Sequence, residues 1–74
     1  KKINVFPNPC TYSLKISGVN AGDQIYIYNT TGQLMTSIVA YSNEEEIDVH
    51  EYAVGLYVVA IVDGTIVQLI DFIK

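Results

Sequence analysis

Residues 56–73 read LYVVAIVDGTIVQLIDFI, two apolar segments joined at Asp63-Gly64. Both segments are rich in β-branched and aromatic residues, and an Asp-Gly pair between two such runs is a strong signal for a β-hairpin. Apolar side chains occupy odd and even positions alike, so both faces of each strand require cover. This favours a central position in a sheet. The alternative is an apolar face or edge that a partner occupies.

The rest of the chain has the same β character. Helical periodicity is nearly absent, and short β-branched and aromatic segments alternate with clusters of Gly, Asn, Asp and Ser. We predict seven strands, at 3–6, 11–17, 24–29, 33–40, 45–49, 56–62 and 65–73. Their spacing of roughly ten residues predicts an all-β fold, a seven-stranded antiparallel β-sandwich of immunoglobulin-like architecture. We expect one domain over residues 1–74, with residues 1–2 ending an upstream linker.

Two segments alternate clearly between apolar and polar positions. In the second segment the predicted buried face is formed by Tyr12, Leu14 and Ile16. In the third segment Tyr26 and Tyr28 share the outer face, where their rings shield the sheet while their hydroxyl groups stay in water.

Length and composition exclude several classes of function. The chain has 74 residues, of which 50% are hydrophobic, and its formal net charge is -4. A domain this small buries about 60% of its unfolded surface, which leaves little room for a deep cleft and argues against an enzyme. Four basic residues against eight acidic ones make nucleic acid an unsuitable partner. The longest apolar run, residues 54–62, is far shorter than the roughly 20 residues of a membrane-spanning helix.

The residue types that catalyse reactions or bind metals are scarce. His50 and Cys10 are single and lie in different loops, so neither forms a nucleophile and base pair. We interpret His50 as a solvated loop residue and Cys10 as a small buried or edge residue, and a lone cysteine permits no internal disulfide. The acidic residues 44–46 lack the spacing and turn glycine of a calcium loop, so they are interpreted as solvated charges that discourage edge pairing. We predict no metal site, no cofactor and no small-molecule substrate.

The residues at the strand junctions form an ordered series of motifs. They are Val5-Phe6-Pro7-Asn8-Pro9, Ile25-Tyr26-Ile27-Tyr28-Asn29 leading into Thr31-Gly32, Gly55-Leu56-Tyr57-Val58-Val59 and Phe72-Ile73-Lys74. Across essentially the whole chain, this series resembles the C-terminal sorting domain, type A, of the type IX (Por) secretion system of Bacteroidetes. That family shows a PNP turn, a strand and turn ending in glycine, a G-x-Y strand and a basic terminus.

The resemblance makes nine residues candidates for signal recognition or family structure: Pro7, Asn8, Pro9, Gly32, Gly55, Tyr57, Phe72, Ile73 and Lys74. Each also has a physical role that needs no receptor. The prolines fix φ and stop the first strand, and Asn8 is suited to bond the local backbone. Gly32 and Gly55 lie where positive φ is expected, and Tyr57 faces the core. Two interpretations therefore stay open: these residues stabilise the fold only, or they stabilise the fold and also contact a receptor.

Two positions depart from the family pattern. Gln33 follows the turn glycine and Asp71 lies in the terminal segment, where the family commonly has basic residues. Lys74 is then the only matching charge. A receptor that reads positive charge would treat this domain as a weaker signal, whereas a receptor that reads shape would be indifferent to the change.

The resemblance implies a non-catalytic secretion signal. Such a domain directs a larger cargo, whose domains precede it in the same chain, through the type IX translocon across the outer membrane, and a sortase-like peptidase then usually removes it. The implied location is the periplasm in transit, then the cell surface or the medium. We predict that the translocon engages the final strand, which ends at Lys74, by edge pairing or an apolar groove.

Two other functions use the same architecture. An immunoglobulin-like adhesion or carbohydrate-binding module would stack sugars on an aromatic surface such as Tyr26, Tyr28 and Tyr41. A β-rich domain can also self-associate, and the terminal strand is the expected site of any weak self-association. Position in the parent gene separates the first alternative from a sorting signal, because a sorting domain ends the reading frame.

Overall fold

The computed structural model describes residues 2–74, and seven β-strands form in that part of the chain. Their bounds are β1 Asn4–Phe6, β2 Ser13–Ser17, β3 Gln24–Asn29, β4 Leu34–Val39, β5 Glu44–Asp48, β6 Leu56–Asp63 and β7 Ile66–Ile73. All seven predicted strands are therefore confirmed, and each observed end lies within two residues of its prediction.

The strands form two antiparallel sheets, which confirms the predicted sandwich. The small sheet has the order β1-β2-β5 and the large sheet has the order β4-β3-β6-β7. Strands that are neighbours in sequence pair as β1 with β2, β3 with β4, and β6 with β7. Two long-range pairings, β2 with β5 and β3 with β6, complete the sheets and join distant parts of the chain.

The core lies between the inner faces of the two sheets. Its largest fully buried side chains are Phe72, Leu14, Ile16, Ile25, Ile27, Ile61, Val19, Val49 and Val59. Burial of each Leu, Ile, Val or Phe side chain contributes about 1.5–3 kcal/mol, so the apolar faces predicted by alternation supply the main stabilisation. Tyr12 is the exception to that prediction. Its side chain is 73% exposed, because β2 begins only at Ser13 and Tyr12 lies in the irregular segment before the alternation starts.

The outer face of the large sheet is partly covered by its own side chains. Tyr26 and Tyr28 lie there half-buried, with ring centroids 6.4 Å apart. Tyr26 pairs across the sheet with Ala60, and Ala60 pairs in turn with Leu69. Ala60 is buried although it faces outward, because larger side chains flank it on both neighbouring strands. The predicted shielding role of the tyrosines is confirmed.

The two strands of the terminal hairpin differ in position. β6 lies between β3 and β7, as predicted, but β7 is the edge strand of the large sheet, so the prediction of a central position is wrong for β7. Val67, Leu69 and Ile73 on its outer face are 54%, 67% and 50% exposed. An apolar composition on both faces reflects β-propensity, whereas the position of a strand depends on which distant strand pairs beside it.

The hairpin turn lies one residue later than the sequence predicts. Asp63 still pairs with Ile66 at the end of the ladder, so the two-residue loop is formed by Gly64 and Thr65.

Candidate recognition site

The nine candidate residues converge on one end of the sandwich. In the large sheet Asn29 pairs with Tyr57, and Tyr57 pairs with Phe72, so the end of β3, the start of β6 and the end of β7 form one row. The Gly32 turn follows Asn29 directly at this end. We call this end the motif pole and define it by Pro7, Asn8, Pro9, Gly32, Gly55, Tyr57, Phe72, Ile73 and Lys74.

The Pro-Asn-Pro segment contacts the last strand. Asn8 Oδ1 accepts a hydrogen bond of 3.0 Å from the backbone N–H of Ile73, 65 residues away. The backbone N–H of Cys10 donates to the carbonyl oxygen of Ile73 at 2.9 Å. Both X–Pro bonds of the segment are cis. The prediction that Asn8 bonds the local backbone is therefore wrong, because the edge of β7 presents an unpaired N–H within reach of its side chain.

The end of β7 is held on both sides, through Lys74 on the β6 side and through Ile73 on the outer side. Gly55 and Lys74 exchange two backbone hydrogen bonds, Lys74 N to Gly55 O at 2.9 Å and Gly55 N to Lys74 O at 3.2 Å. In an antiparallel ladder, the residue next to a hydrogen-bonded pair directs its own N–H and C=O away from the partner strand. On β7 that residue is Ile73, which precedes Lys74. Those two groups of Ile73 are the ones bonded by Asn8 and Cys10. The free edge of β7 is thus closed at Ile73.

Lys74 is bound to the loop between β5 and β6. Its Nζ donates to the carbonyl oxygens of His50 and Tyr52, at 2.8 Å in both cases. Two backbone carbonyl groups therefore bind the side-chain ammonium group of Lys74 and fix the position of this side chain.

Three aromatic rings pack together at the motif pole, and two of them, Tyr57 and Phe72, belong to it. The rings of Tyr57 and Phe72 stack with centroids 5.4 Å apart, and Tyr52 packs on Tyr57 at 5.2 Å. Tyr57 OH donates to the carbonyl oxygen of Ala53 at 2.6 Å, and the hydroxyl of Tyr52 bonds that of Thr36. Burial raises the pKa of Tyr52. The core position predicted for Tyr57 is confirmed, whereas sequence reasoning missed Tyr52, whose only signal is an aromatic residue in a polar loop.

The two motif glycines have different roles. The N–H of Gly32 donates to Asn29 O at 3.0 Å, and Asn29 Oδ1 accepts from the N–H groups of Thr31 and Gln33 at 3.1 and 2.9 Å. The φ of Gly32 is 85°, which an L side chain rarely adopts. Gly55 has a φ of 158°, close to extended backbone, and its role is to pair with Lys74. Positive φ at both glycines is confirmed.

His50 and Cys10 lie near the motif pole without forming a catalytic pair. Asp48 Oδ1 accepts from the backbone N–H of His50 at 3.0 Å and lies 2.7 Å from its Nδ1. The contact between the Asp48 carboxylate and the His50 ring raises the pKa of His50. The pKa of Asp48 is lowered, mainly by the hydrogen bond from the His50 backbone N–H and secondly by the contact with the ring. Cys10 is buried, and its burial raises the pKa of the thiol. His50 is an exposed loop residue and Cys10 a small buried one, as predicted.

Candidate metal ligands do not cluster in residues 2–74. No group of three or more His, Cys, Asp or Glu side chains in that range is placed to hold a metal ion. Of the acidic run, Glu44 and Glu46 are exposed on β5, an edge strand of the small sheet. Glu45 bonds the backbone N–H of Tyr41 at 2.8 Å and so closes the turn before β5. No helix in the described part of the chain is long and apolar enough to cross a membrane.

The fold and the site define a class of protein, a small all-β sandwich domain whose sequence motifs lie at one end of the sandwich. Residues 4–74 match the family described as the secretion system C-terminal sorting domain, and the chain belongs to that family. It is a sorting-signal domain of the type IX secretion system. Domains of this family are in general non-catalytic, and the signal implies export across the outer membrane to the cell surface or extracellular space.

A solved structure shows the same fold. The chain is similar to PorZ of Porphyromonas gingivalis, described as an essential bacterial surface component of the type-IX secretion system, with a TM-score of 0.88 and 28% sequence identity. The match covers 96% of this chain and 11% of the PorZ chain, so the domain corresponds to a small part of that protein. No curated protein matches this sequence.

Proposed function

We propose that the domain is the non-catalytic C-terminal signal of a larger cargo protein, with the cargo domains preceding it in the same chain and residues 1–2 ending the linker between them. The cargo reaches the periplasm, and there the type IX translocon recognises the folded domain. A sortase-like peptidase then removes the domain in the linker upstream of Pro7. The observation that supports this proposal is that the family residues lie at one end of the sandwich, where Asn8, Gly55 and Tyr57 contact the last strand or Lys74.

The free edge of β7 is the surface that we propose the translocon engages. Because Gly55 and Lys74 are a hydrogen-bonded pair, the alternation of the ladder directs the N–H and C=O groups of Val67, Leu69 and Asp71 away from β6. An extended segment of a translocon component would add to this edge through main-chain hydrogen bonds. Main-chain pairing explains how a receptor accepts sorting domains of divergent sequence.

The outer face of β7 extends the same surface. The side chains of Val67 and Leu69 are exposed there, and they belong to the residues whose backbone groups face the free edge. A strand added at this edge would thus gain apolar contacts together with its hydrogen bonds. Asp71 interrupts the apolar row, and its charge disfavours pairing between two copies of β7 more than pairing with a neutral or basic strand.

The experiment is a secretion assay. These 74 residues are fused to the C-terminus of a periplasmic reporter in a type IX-competent host, and reporter is measured in the periplasm, on the cell surface and in the medium. Export that requires an intact translocon supports the proposal, and cleavage is read from the size of the exported reporter. Retention in the periplasm with a folded domain contradicts it.

A carbohydrate-binding module has less support from the structure. The rings of Tyr26 and Tyr28 are inclined by 34° and half-buried over the sheet, which does not make a flat stacking platform. Tyr41 follows β4, whose last residue pairs with Gln24 at the opposite end of β3 from Tyr28. The three rings therefore do not form one continuous aromatic surface. Weak self-association through β7 stays a prediction, which sedimentation at several protein concentrations tests.

A further inference from the structure

We infer that Asn8 is the positioning residue of the sorting signal, because its side-chain amide, acting through Ile73, holds the end of β7 on the sandwich and closes the last part of the free edge. The inference rests on the proposed function only in linking this contact to export. The contact itself is a property of the domain and is measurable without any translocon.

The Pro-Asn-Pro segment occupies the place that a neighbouring strand would take beside Ile73. Asn8 Oδ1 accepts from Ile73 N, and Cys10 N donates to Ile73 O. One acceptor and one donor thus satisfy the two outward groups of a single residue, as a paired strand would do. The segment ends the open edge at Asp71, so an added strand has access to Val67, Leu69 and Asp71 but not to Ile73.

The side chain of Asn8, rather than a strand backbone, supplies the acceptor for the N–H of Ile73. Pro7 and Pro9 have no N–H groups, so the segment cannot continue as a normal paired strand. The donor that the prolines lack comes from the N–H of Cys10, which bonds Ile73 O, and the oxygen of the short Asn8 side chain accepts from Ile73 N. This accounts for an asparagine between two prolines at this position, a role that aliphatic side chains cannot fill.

The contact is separate from the other interactions that hold the terminus. Lys74 Nζ bonds the carbonyl oxygens of His50 and Tyr52, and Gly55 pairs with the Lys74 backbone. Asn8 is exposed and is not part of the core. Its removal therefore frees the outward N–H of Ile73 while the core and the hairpin stay formed.

The first test is amide hydrogen exchange on the 74-residue chain, with the variants Asn8→Ala and Asn8→Asp. We expect Asn8→Ala to speed exchange at the Ile73 amide about tenfold, the factor that corresponds to loss of one ordinary hydrogen bond. Asn8→Asp keeps an acceptor oxygen at the same distance and is expected to preserve protection. Ser42→Ala is the matched control, because it removes short-range hydrogen bonds of an exposed turn before β5. Unchanged exchange at Ile73 in Asn8→Ala would overturn the inference.

The second test is export of the reporter fusion. We expect Asn8→Ala to lower export several-fold, with Asn8→Asp and Ser42→Ala near the wild-type level. Faster Ile73 exchange with wild-type export would overturn the positioning role. If Asn8→Ala does not fold, Asn8→Gln, which keeps the amide but displaces its oxygen, is used and must show the same two changes. Failure of the wild-type fusion to be exported would contradict the proposed function and leave the exchange result to decide the contact.

Discussion

Tyr57 and Phe72 lie side by side on the inner face of the β6–β7 hairpin, with ring centroids 5.4 Å apart and planes inclined by 19°. They are also cross-strand partners in the ladder. The G-x-Y motif at the start of β6 and the aromatic residue near the end of β7 are therefore two halves of one packed pair. This pair is the buried part of the motif pole, and Asn8 and Lys74 hold the end of β7 from the surface.

Tyr57 contributes to stability through its ring more than through its hydroxyl group. Tyr57→Phe removes the hydrogen bond to Ala53 O and should lower the free energy of unfolding by about 0.5–1.5 kcal/mol. Tyr57→Ala also removes the buried ring between Tyr52 and Phe72, and a loss of about 3–5 kcal/mol is expected. Urea denaturation of the two variants measures the difference. Equal destabilisation would show that the ring packing contributes little.

Two glycines should differ in their tolerance of alanine. At Gly32, with φ of 85°, an added Cβ has no neighbouring atom within 4 Å, so Gly32→Ala should cost about 1 kcal/mol of stability from backbone conformation alone. At Gly18, with φ of 89°, the Cβ would also collide with the carbonyl oxygen of Lys2. Gly18→Ala should therefore be the more destabilising change in thermal unfolding. The reverse order would contradict the packing of the amino-terminal segment against Gly18.

His50 should titrate above its ordinary pKa of 6.5, because the Asp48 carboxylate bonds its ring. The pKa of Asp48 lies below its ordinary value of 3.8, for which the bond from the His50 backbone is the main cause. The His50 contribution to stability is present below pH 6.5 and is lost as the pH rises through the raised pKa of the folded state. The Asp48 contribution is present above pH 3.8 and is lost as the pH falls through its lowered pKa.

An NMR titration of the His50 ring measures this coupling directly. The variant Asp48→Asn should move the pKa of His50 down toward 6.5, and Glu51→Gln, which removes a weaker contact at 3.8 Å, should move it less. A pKa of His50 that is the same in the wild type and in Asp48→Asn would contradict the pairing.

Leu69→Pro should block strand addition without breaking the β6–β7 ladder. The N–H of Leu69 faces the free edge, so a proline there removes an edge donor and no ladder bond. Export of the reporter fusion is expected to fall several-fold. Leu69→Ala keeps the N–H and is the matched control for the lost side chain. Wild-type export of a folded Leu69→Pro domain would exclude edge pairing at this residue, and circular dichroism establishes that both variants fold.

The local pattern of the sequence determined the strands to within two residues, the positions of most turns, and the buried side of β2 and β3. Ile25 and Ile27 alternate with Tyr26 and Tyr28, and this period of two is sufficient to assign the inner and outer faces. The Gly32 turn was predictable for the same reason, because backbone conformation depends on the residue itself and its nearest neighbours. The family motifs were equally visible, since they lie in short contiguous segments.

Only the tertiary structure decided the strand order and what the motif residues contact. The edge position of β7, the bond from Ile73 to Asn8 and the bonds from Lys74 to the β5–β6 loop each join parts of the chain that are far apart in sequence. Periodicity specifies which face of a strand is apolar but carries no information on its neighbour. Asn8 therefore read as a local turn residue, and its contact with the last strand became apparent only when the sandwich brought the two ends of the chain together.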